Sequence, residues 1–134
     1  DLDARRDWGF AGDYVRALAL MLAQDAPADH VVATGVAHSV REFVDLAFAQ
    51  VGKEIVWQGS GSEERGVDRA SGAVLVRVDP RYFRPLEVAF LLGDASKAHA
   101  KLGWRHETSF AELVREMVAA DLETVRREGR NGKE

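Results

Sequence analysis

Apolar and polar positions along the chain follow helical and extended spacings in alternation, which predicts an α/β fold without internal repeats. The first helix is expected to run from Asp13, acting as its cap, to about Gln24. Its apolar residues surround the helix instead of forming one stripe, and such a helix is normally buried on more than one side. They are Val15, Ala17, Leu18, Ala19, Leu20, Met21, Leu22 and Ala23.

The segment after this helix combines a strand pattern with a strong helix start. Residues 30–34 (HVVAT) form a short apolar run, which predicts a buried strand that ends at Gly35. Ser39 and Glu42 have the spacing of a capping box, in which the serine hydroxyl binds a backbone N–H of the first turn and the glutamate reaches back. This predicts a second helix, which Gly52 ends.

The middle of the chain contains two strand patterns around a polar segment. Residues 54–58 (EIVWQ) and 74–79 (VLVRVD) each predict a strand. Residues 59–72 between them are polar and rich in glycine, which predicts a loop.

Two further helices are expected in the last third of the chain. Asp94 is expected to cap a short helix that ends near Gly103. Ser109 and Glu112 form a second capping box. The helix that follows carries an apolar stripe on one face, made of Phe110, Leu113, Val114, Met117, Val118, Leu122 and Val125.

Composition narrows the functional classes. The 134 residues carry a net charge of −4, which argues against general nucleic-acid binding. Because the chain has no cysteine, it has no disulfide framework and no thiolate metal site, and it fits a reducing compartment such as the cytoplasm. None of the four histidines has a partner at metal-binding spacing, and no apolar run approaches the roughly 20 residues of a membrane span. The chain begins at Asp1 instead of Met, so we expect it to belong to a longer protein.

A first candidate site lies just before the first helix, where Arg5, Arg6, Asp7 and Trp8 follow one another. Guanidinium groups bind phosphate through paired N–H donors, so the two arginines are a candidate phosphate clamp, with Asp7 orienting one of them. The alternative is a solvated turn with a surface ion pair.

A second candidate site contains Arg84 and Glu87. Arg84 lies between Phe83 and the rigid Pro85, which favours a preorganised side chain. Glu87 can accept hydrogen bonds from two vicinal hydroxyls, so the pair suits a diphosphate and a ribose. The alternative is a loop arginine paired with a nearby carboxylate.

A third candidate is the start of the second helix, at Ser39 and Val40. Backbone N–H groups at a helix start attract anionic or carbonyl partners. The alternative is simply a well-capped helix.

Motifs that carry chemistry in enzymes are absent from this sequence. It has no G-x-S-x-G nucleophile elbow, and Gly59-Ser60-Gly61 is not followed by a helix pattern, as a phosphate-binding loop requires. Neither Tyr14 nor Tyr82 has a lysine four residues later, so the Tyr-x-x-x-Lys acid/base pair is missing. We therefore expect no catalytic, cofactor-binding or metal-binding residue in this chain.

In their order, these motifs resemble the C-terminal portion of the GDP-mannose 4,6-dehydratases, in the extended short-chain dehydrogenase/reductase superfamily. The resemblance covers nearly the whole chain, and R-D-W-G together with R-Y-F-R-P-x-E-V favours this family over the UDP-sugar epimerases. The matching stretches are residues 6–9, 13–15, 33–35, 39–43, 78–88, 92–94, 97–98, 101–104 and 113–118.

The resemblance implies the fold class: α/β, the C-terminal substrate-binding part of an extended short-chain dehydrogenase/reductase (Rossmann-type) fold whose N-terminal Rossmann domain is missing. Residues 1–35 would be the last helix and strand packing on that domain, and residues 36–134 a small α/β lobe that binds the sugar nucleotide. The full enzyme, a lyase and a cytoplasmic homo-oligomer, would hold NADP on the missing domain. It would convert GDP-mannose to GDP-4-keto-6-deoxymannose, the precursor of GDP-fucose and GDP-rhamnose.

The resemblance implies contacts with three parts of the substrate: the diphosphate, the ribose and the base. Arg6 and Arg84 would hold the diphosphate, and Glu87 the ribose. Ser39 and Val40 would lie near the base.

The chain departs from the family pattern R-D-W-G-H-A-K-D-Y-V at two positions. Phe10 and Gly12 stand where the family has His and Lys, so no role is carried over to either. Two alternatives stay open: a related nucleotide-sugar epimerase or reductase, and a non-catalytic nucleotide-sugar-binding fragment. A preference for GDP over UDP would argue against an epimerase that uses UDP-sugars.

Overall fold

The computed structural model of the chain describes residues 1–82 and 88–131, which contain four α-helices and five strands. The helices are α1 (Ala11–Leu22), α2 (Val40–Ala49), α3 (Ser96–Leu102) and α4 (Phe110–Asn131). The strands are β1 (Arg5–Arg6), β2 (His38–Ser39), β3 (Ile55–Gln58), β4 (Arg65–Asp68) and β5 (Val74–Arg77), and a 3₁₀ turn covers Gly61–Glu63.

Both predicted capping boxes are confirmed. Before α2, the Ser39 hydroxyl accepts a hydrogen bond from the Glu42 N–H at 3.1 Å, and the Glu42 carboxylate accepts one from the Ser39 N–H at 2.8 Å. Ser109 and Glu112 exchange the same pair before α4, at 3.3 and 2.9 Å. Each box satisfies two backbone N–H groups that a helix start otherwise leaves open.

The strands form two sheets. β1 and β2 pair antiparallel. β1 also forms backbone hydrogen bonds with residues 89 and 91. There the Arg5 N–H donates to the Ala89 carbonyl at 2.8 Å, and the Leu91 N–H donates to the Arg5 carbonyl at 3.1 Å. β3, β4 and β5 form a separate antiparallel sheet with β4 in the centre.

The prediction of a loop over residues 59–72 is wrong, because this segment contains the central strand β4. Gly66, Val67 and Asp68 are buried there. A Cβ on Gly66 would lie 2.8 Å from Ile55 Cγ2 and 3.1 Å from Val76 Cβ. The glycine therefore lets side chains of both neighbouring strands pack over β4, and it does not mark a loop.

Residues 30–34 do not form the predicted strand. A strand needs a hydrogen-bonded neighbour, and no segment of the described chain pairs with these residues. Val32 and Ala33 pack into the core, whereas Val31 is 52% exposed.

Asp13 does not cap α1 as predicted. The cap position is Phe10, which makes no side-chain cap hydrogen bond. Asp13 is fully buried one turn later, where one carboxylate oxygen accepts hydrogen bonds from the N–H groups of Glu107 and Thr108 at 3.1 and 3.0 Å. Its other oxygen lies 2.8 Å from the Arg16 guanidinium. Asp13 thus ties α1 to the segment that precedes α4.

The core of the described chain is small and centred on Trp104. This side chain is 2% exposed, and its indole N–H donates to the Asp13 carbonyl at 2.8 Å. By contrast, Leu18 and Leu22 of α1 are 55% and 88% exposed. The buried residues packed around Trp104 are all alanines: Ala17, Ala33, Ala95 and Ala98.

Candidate functional site

β1 gives its two arginines different surroundings. Neighbouring residues of a strand point to opposite faces. The Arg5 guanidinium donates to the Ala37 carbonyl at 2.7 Å, whereas Arg6 lines an open groove that Arg5 does not reach. The two arginines therefore do not act together as the predicted clamp, and only Arg6 lies in a cavity.

Asp7 does not orient an arginine, contrary to the prediction. Its carboxylate accepts hydrogen bonds from the Thr34 N–H and hydroxyl at 2.9 and 2.6 Å, from the Gly35 N–H at 2.9 Å and from the Gly93 N–H at 3.3 Å. Burial raises the pKa of Asp7, but these hydrogen bonds outweigh burial and hold the pKa below its usual value. Asp7 thus connects the end of β1 to residues 34–35 and to Gly93.

Trp8 belongs to an aromatic cluster that forms next to β1 in sequence. Its ring stacks on Phe110 with centroids 5.7 Å apart and meets the edge of Phe43 at 5.4 Å. The His38 ring stacks on the same Phe110 at 3.9 Å. The cluster connects the end of β1 to α2 and α4, so Trp8 has a packing role and does not line the groove of Arg6.

The groove that contains Arg6 brings two of the predicted site residues together. It has a volume of about 310 Å³ and lies between the N-terminal segment, the start of α2 and the end of β5. Arg6 and Val40 both line it, as the resemblance led us to expect of residues that bind one ligand. The other lining residues are Asp1, Leu2, Ala4, Arg77, Val78, Asp79 and Tyr82.

The backbone at the start of α2 is not open to a ligand. The Val40 N–H donates to the Ala4 carbonyl at 3.3 Å, and the Arg41 N–H donates to the Leu2 carbonyl at 2.9 Å. Ser39 is buried, with both its N–H and its hydroxyl engaged in the capping box. This matches the alternative of a well-capped helix, because the backbone N–H groups of Ser39, Val40 and Arg41 all have partners within the chain.

Arg84 and Glu87 lie outside the residues that the structure describes. Tyr82, which lines the groove, is the last described residue before them. Their predicted contacts with a diphosphate and a ribose therefore stay predictions.

Arg77 and Tyr82 also line the groove, although neither belongs to the binding residues predicted from the sequence. The available signal was the alternation along β5, where Val74 and Val76 are half-buried and Leu75 and Arg77 are exposed. In the sequence, an arginine at an exposed strand position looks like any other surface residue. That Arg77 and Arg6 line the same groove is therefore visible only in the structure.

The two departures from the family pattern are coupled in space. The Phe10 ring lies over Gly12, and a Cβ on Gly12 would come within 2.5 Å of Phe10 Cε1. Any side chain at position 12 would have to displace this ring, so Phe10 in this position requires the glycine.

Two other kinds of site find no support among the described residues. No three histidine, aspartate or glutamate side chains there lie where they could hold a metal ion. No helix in the same part of the chain is long and apolar enough to cross a membrane.

Comparison with known proteins matches residues 1–117 to the family model described as GDP-mannose 4,6 dehydratase. A GDP-mannose 4,6-dehydratase of Sinorhizobium fredii is 58% identical over 126 residues, which cover 94% of this chain and 36% of that protein. The human GDP-mannose 4,6 dehydratase is 55% identical, with 94% and 34% covered. The chain thus spans about a third of the length of these relatives.

Two solved structures share the fold. RMD from Pseudomonas aeruginosa, complexed with NADPH, has a TM-score of 0.64 at 18% identity over 89% of this chain and 33% of its own. WbmG from Bordetella bronchiseptica, in complex with NAD and UDP, has a TM-score of 0.62 at 22% identity over 87% and 32%. They confirm the predicted α/β fold, and this chain covers about a third of each of them. With a family model that matches 117 residues, the chain belongs to the GDP-mannose 4,6 dehydratase family.

Proposed function

We propose that this chain supplies the nucleotide-sugar-binding part of a GDP-mannose 4,6-dehydratase, which converts GDP-mannose to GDP-4-keto-6-deoxymannose in the formation of GDP-fucose or GDP-rhamnose. The observation that carries the proposal is the groove in which Arg6 and Val40 meet, in a chain of this family. The full enzyme would be a cytoplasmic lyase and a homo-oligomer.

Each predicted site residue has a role in this proposal. Arg6 binds the diphosphate, because a guanidinium offers paired donors to phosphate oxygens. Val40 packs against the guanine base, and Ser39 fixes the start of α2 that presents Val40. Arg84 binds the diphosphate from the other side, and Glu87 accepts hydrogen bonds from the ribose hydroxyls.

The described residues do not fit the NADP that the family activity calls for. A dinucleotide site needs a glycine-rich turn between a strand and a helix start. Here the glycines at 59 and 61 lead through a 3₁₀ turn into the antiparallel strand β4. NADP supplies the hydride acceptor and donor of the reaction, and we place its site in the part of the longer protein that this chain lacks. The chain's own contribution is to bind and orient the substrate.

The exposed face of α1 supports the proposed domain division. Val15, Leu18 and Leu22 are 61%, 55% and 88% exposed, and contiguous exposed apolar side chains mark surfaces that another domain or chain covers. We therefore place residues 1–35 against the Rossmann domain of the full enzyme, with residues 36–134 forming the lobe that binds the sugar nucleotide.

A direct test is nucleotide binding in the complete enzyme. A charge-assisted hydrogen bond is worth roughly 1.5–3 kcal/mol, so Arg84→Ala or Arg6→Ala should weaken GDP binding by about 10- to 150-fold. NADP binding should change little. Lysine at either position should restore little, since an ammonium lacks the planar fork, and Glu87→Gln should cost less. Unchanged GDP affinity in both alanine variants, measured by titration calorimetry, would refute the phosphate contacts.

Two further measurements separate this function from the alternatives. A stronger affinity for UDP than for GDP would favour a related epimerase. The isolated 134-residue chain should bind GDP without converting GDP-mannose, because we find no acid/base Tyr-x-x-x-Lys pair in its sequence. Conversion by the pure chain would show that the catalytic residues lie within it.

A further inference from the structure

We infer that Arg77 is a second anion-binding residue of the groove and contacts a phosphate of the bound nucleotide beside Arg6. Arg77 lies just before the stretch that resembles the family, and nothing in that resemblance assigns it a role. The identity of the anion as a nucleoside diphosphate rests on the proposed function, whereas the anion site itself rests on the geometry below.

The register of the three-stranded sheet places Arg77 directly opposite Arg65. Residues that face each other across an antiparallel pair project on the same side, and like charges in this position repel. Both side chains are exposed at this end of the sheet. This arrangement raises the positive potential beside the groove, and a bound anion relieves the repulsion.

The groove's own carboxylates do not neutralise Arg77. Within residues 1–82 and 88–131, no carboxylate lies within ion-pair distance of it. Asp79 is engaged by Arg81, with the two atoms Nη2 and Oδ2 2.6 Å apart. Asp1 accepts a hydrogen bond from the Asp3 N–H at 2.9 Å.

Arg41 is an example of an arginine with a structural role in this chain. It binds Asp3 at 2.9 Å and Glu64 at 2.6 Å, and it lies 4.8 Å above the Trp57 ring. Arg77, at the end of β5, has none of these partners. Its distinguishing feature is the cavity that it shares with Arg6.

Two guanidinium groups in one groove suit an anion with two charged centres. Each phosphate that gains a charge-assisted partner adds to affinity, and a diphosphate can engage Arg6 and Arg77 together. A monophosphate has only one charged centre, so the two arginines would have to share it. The groove is therefore expected to prefer GDP to GMP, and this preference is expected to depend on Arg77.

The test is titration of the 134-residue chain with GDP, GMP and inorganic pyrophosphate, followed by calorimetry and by amide NMR shifts. Arg77→Gln should weaken GDP and pyrophosphate binding about tenfold, the lower end expected for a charge-assisted hydrogen bond at an exposed site. GMP binding should fall by much less. Arg115→Gln on α4 is the matched control, since it removes the same charge from an exposed residue outside the groove. Circular dichroism checks that both variants are folded.

The outcomes separate this inference from the proposed function. If GDP binds and Arg77→Gln behaves like Arg115→Gln, the inference is overturned while the proposed function stands. If pyrophosphate binding depends on Arg77 but GDP binds no more tightly than pyrophosphate, the anion site is supported and the proposed nucleotide-binding function is wrong. If neither ligand binds the folded wild-type chain, or if the shifted amides lie away from residues 40 and 77–78, both are wrong.

Discussion

α1 and the three-stranded sheet each bury one aspartate, but they differ in the side chains that they expose. α1 buries a charged residue, Asp13, and a small one, Ala17, while its valine and its leucines are exposed, Leu22 to 88%. The sheet buries Val67 and Asp68. Its exposed positions are mainly charged or polar, namely Gln58, Arg65 and Arg77, with Leu75.

This difference indicates that the exposed side of the sheet suits contact with water, whereas the exposed side of α1 suits contact with another protein surface. Burying apolar area stabilises by roughly 25 cal/mol per Å², so the exposed face of α1 leaves stabilisation unused in this chain. The buried charge of the sheet has near partners, because Lys53, just before β3, and Ser71, in the turn between β4 and β5, both bind the Asp68 carboxylate. The predictions below test whether α1 depends on distant contacts and the sheet on local ones.

The largest effect is expected at Asp13. Asp13→Asn should lower the free energy of unfolding by about 3 kcal/mol, because the buried amide cannot replace the charge-assisted hydrogen bonds from Glu107 and Thr108. Asp121→Asn on the exposed face of α4 is the control, with an expected change within about 0.5 kcal/mol. Urea unfolding followed by Trp fluorescence measures both. Equal stability of the two variants would show that Asp13 does not hold α1 in place.

A smaller loss is expected from Gly66→Ala at the centre of the sheet. The new methyl group would meet Ile55 at 2.8 Å and Val76 at 3.1 Å, and overpacking of this kind costs about 1–3 kcal/mol. Gly129→Ala on α4 meets nothing within 4 Å and should be neutral or slightly stabilising. If Gly66→Ala is as harmless as Gly129→Ala, β4 is not packed between its neighbours as described.

Local spacing was enough to predict the capped helices but not the residues that connect them. Ser39 finds Glu42 three positions away, and this spacing is visible in the sequence. Asp13 binds N–H groups 94 and 95 positions away, and Asp7 reaches Gly93 across 86. Because these pairings depend on how distant segments pack, Asp13 was mistaken for a cap and Asp7 for a partner of arginine.

Only those residues of the groove to which the family resemblance gave a role were predicted from the sequence. Arg6 and Val40 were expected at one ligand, and the structure places both in one groove. Arg77 could not be foreseen, because its place beside Arg6 depends on the register of β5 against β4. That register runs through a segment whose glycines and polar residues resemble a loop.

A moderate acid sensitivity is expected from the sheet. The Lys53 ammonium and the Ser71 hydroxyl bind the Asp68 carboxylate and lower its pKa to about 2 from the ordinary 3.8. A folded-state pKa below the unfolded value stabilises above the unfolded pKa, and this contribution is lost as the pH falls through the folded one. The melting temperature of the wild type should therefore fall between about pH 4 and pH 2 more steeply than that of Asp68→Asn. Parallel curves for the two proteins would refute the role of Asp68.

The smallest effect on stability is expected on the exposed face of α1. Leu18→Ser with Leu22→Ser removes apolar side chains that are 55% and 88% exposed, so the unfolding free energy of the isolated chain should change by less than about 1 kcal/mol. The same change should clearly reduce binding of a hydrophobic dye and any self-association. Leu75→Ser on β5, at a side chain 38% exposed, is the matched control and should leave dye binding unchanged. In the complete enzyme the double variant should instead destabilise the protein, because the proposed Rossmann domain would cover this face. A large loss of stability in the isolated chain would mean that the chain itself buries these leucines, and the contrast between α1 and the sheet would then be wrong.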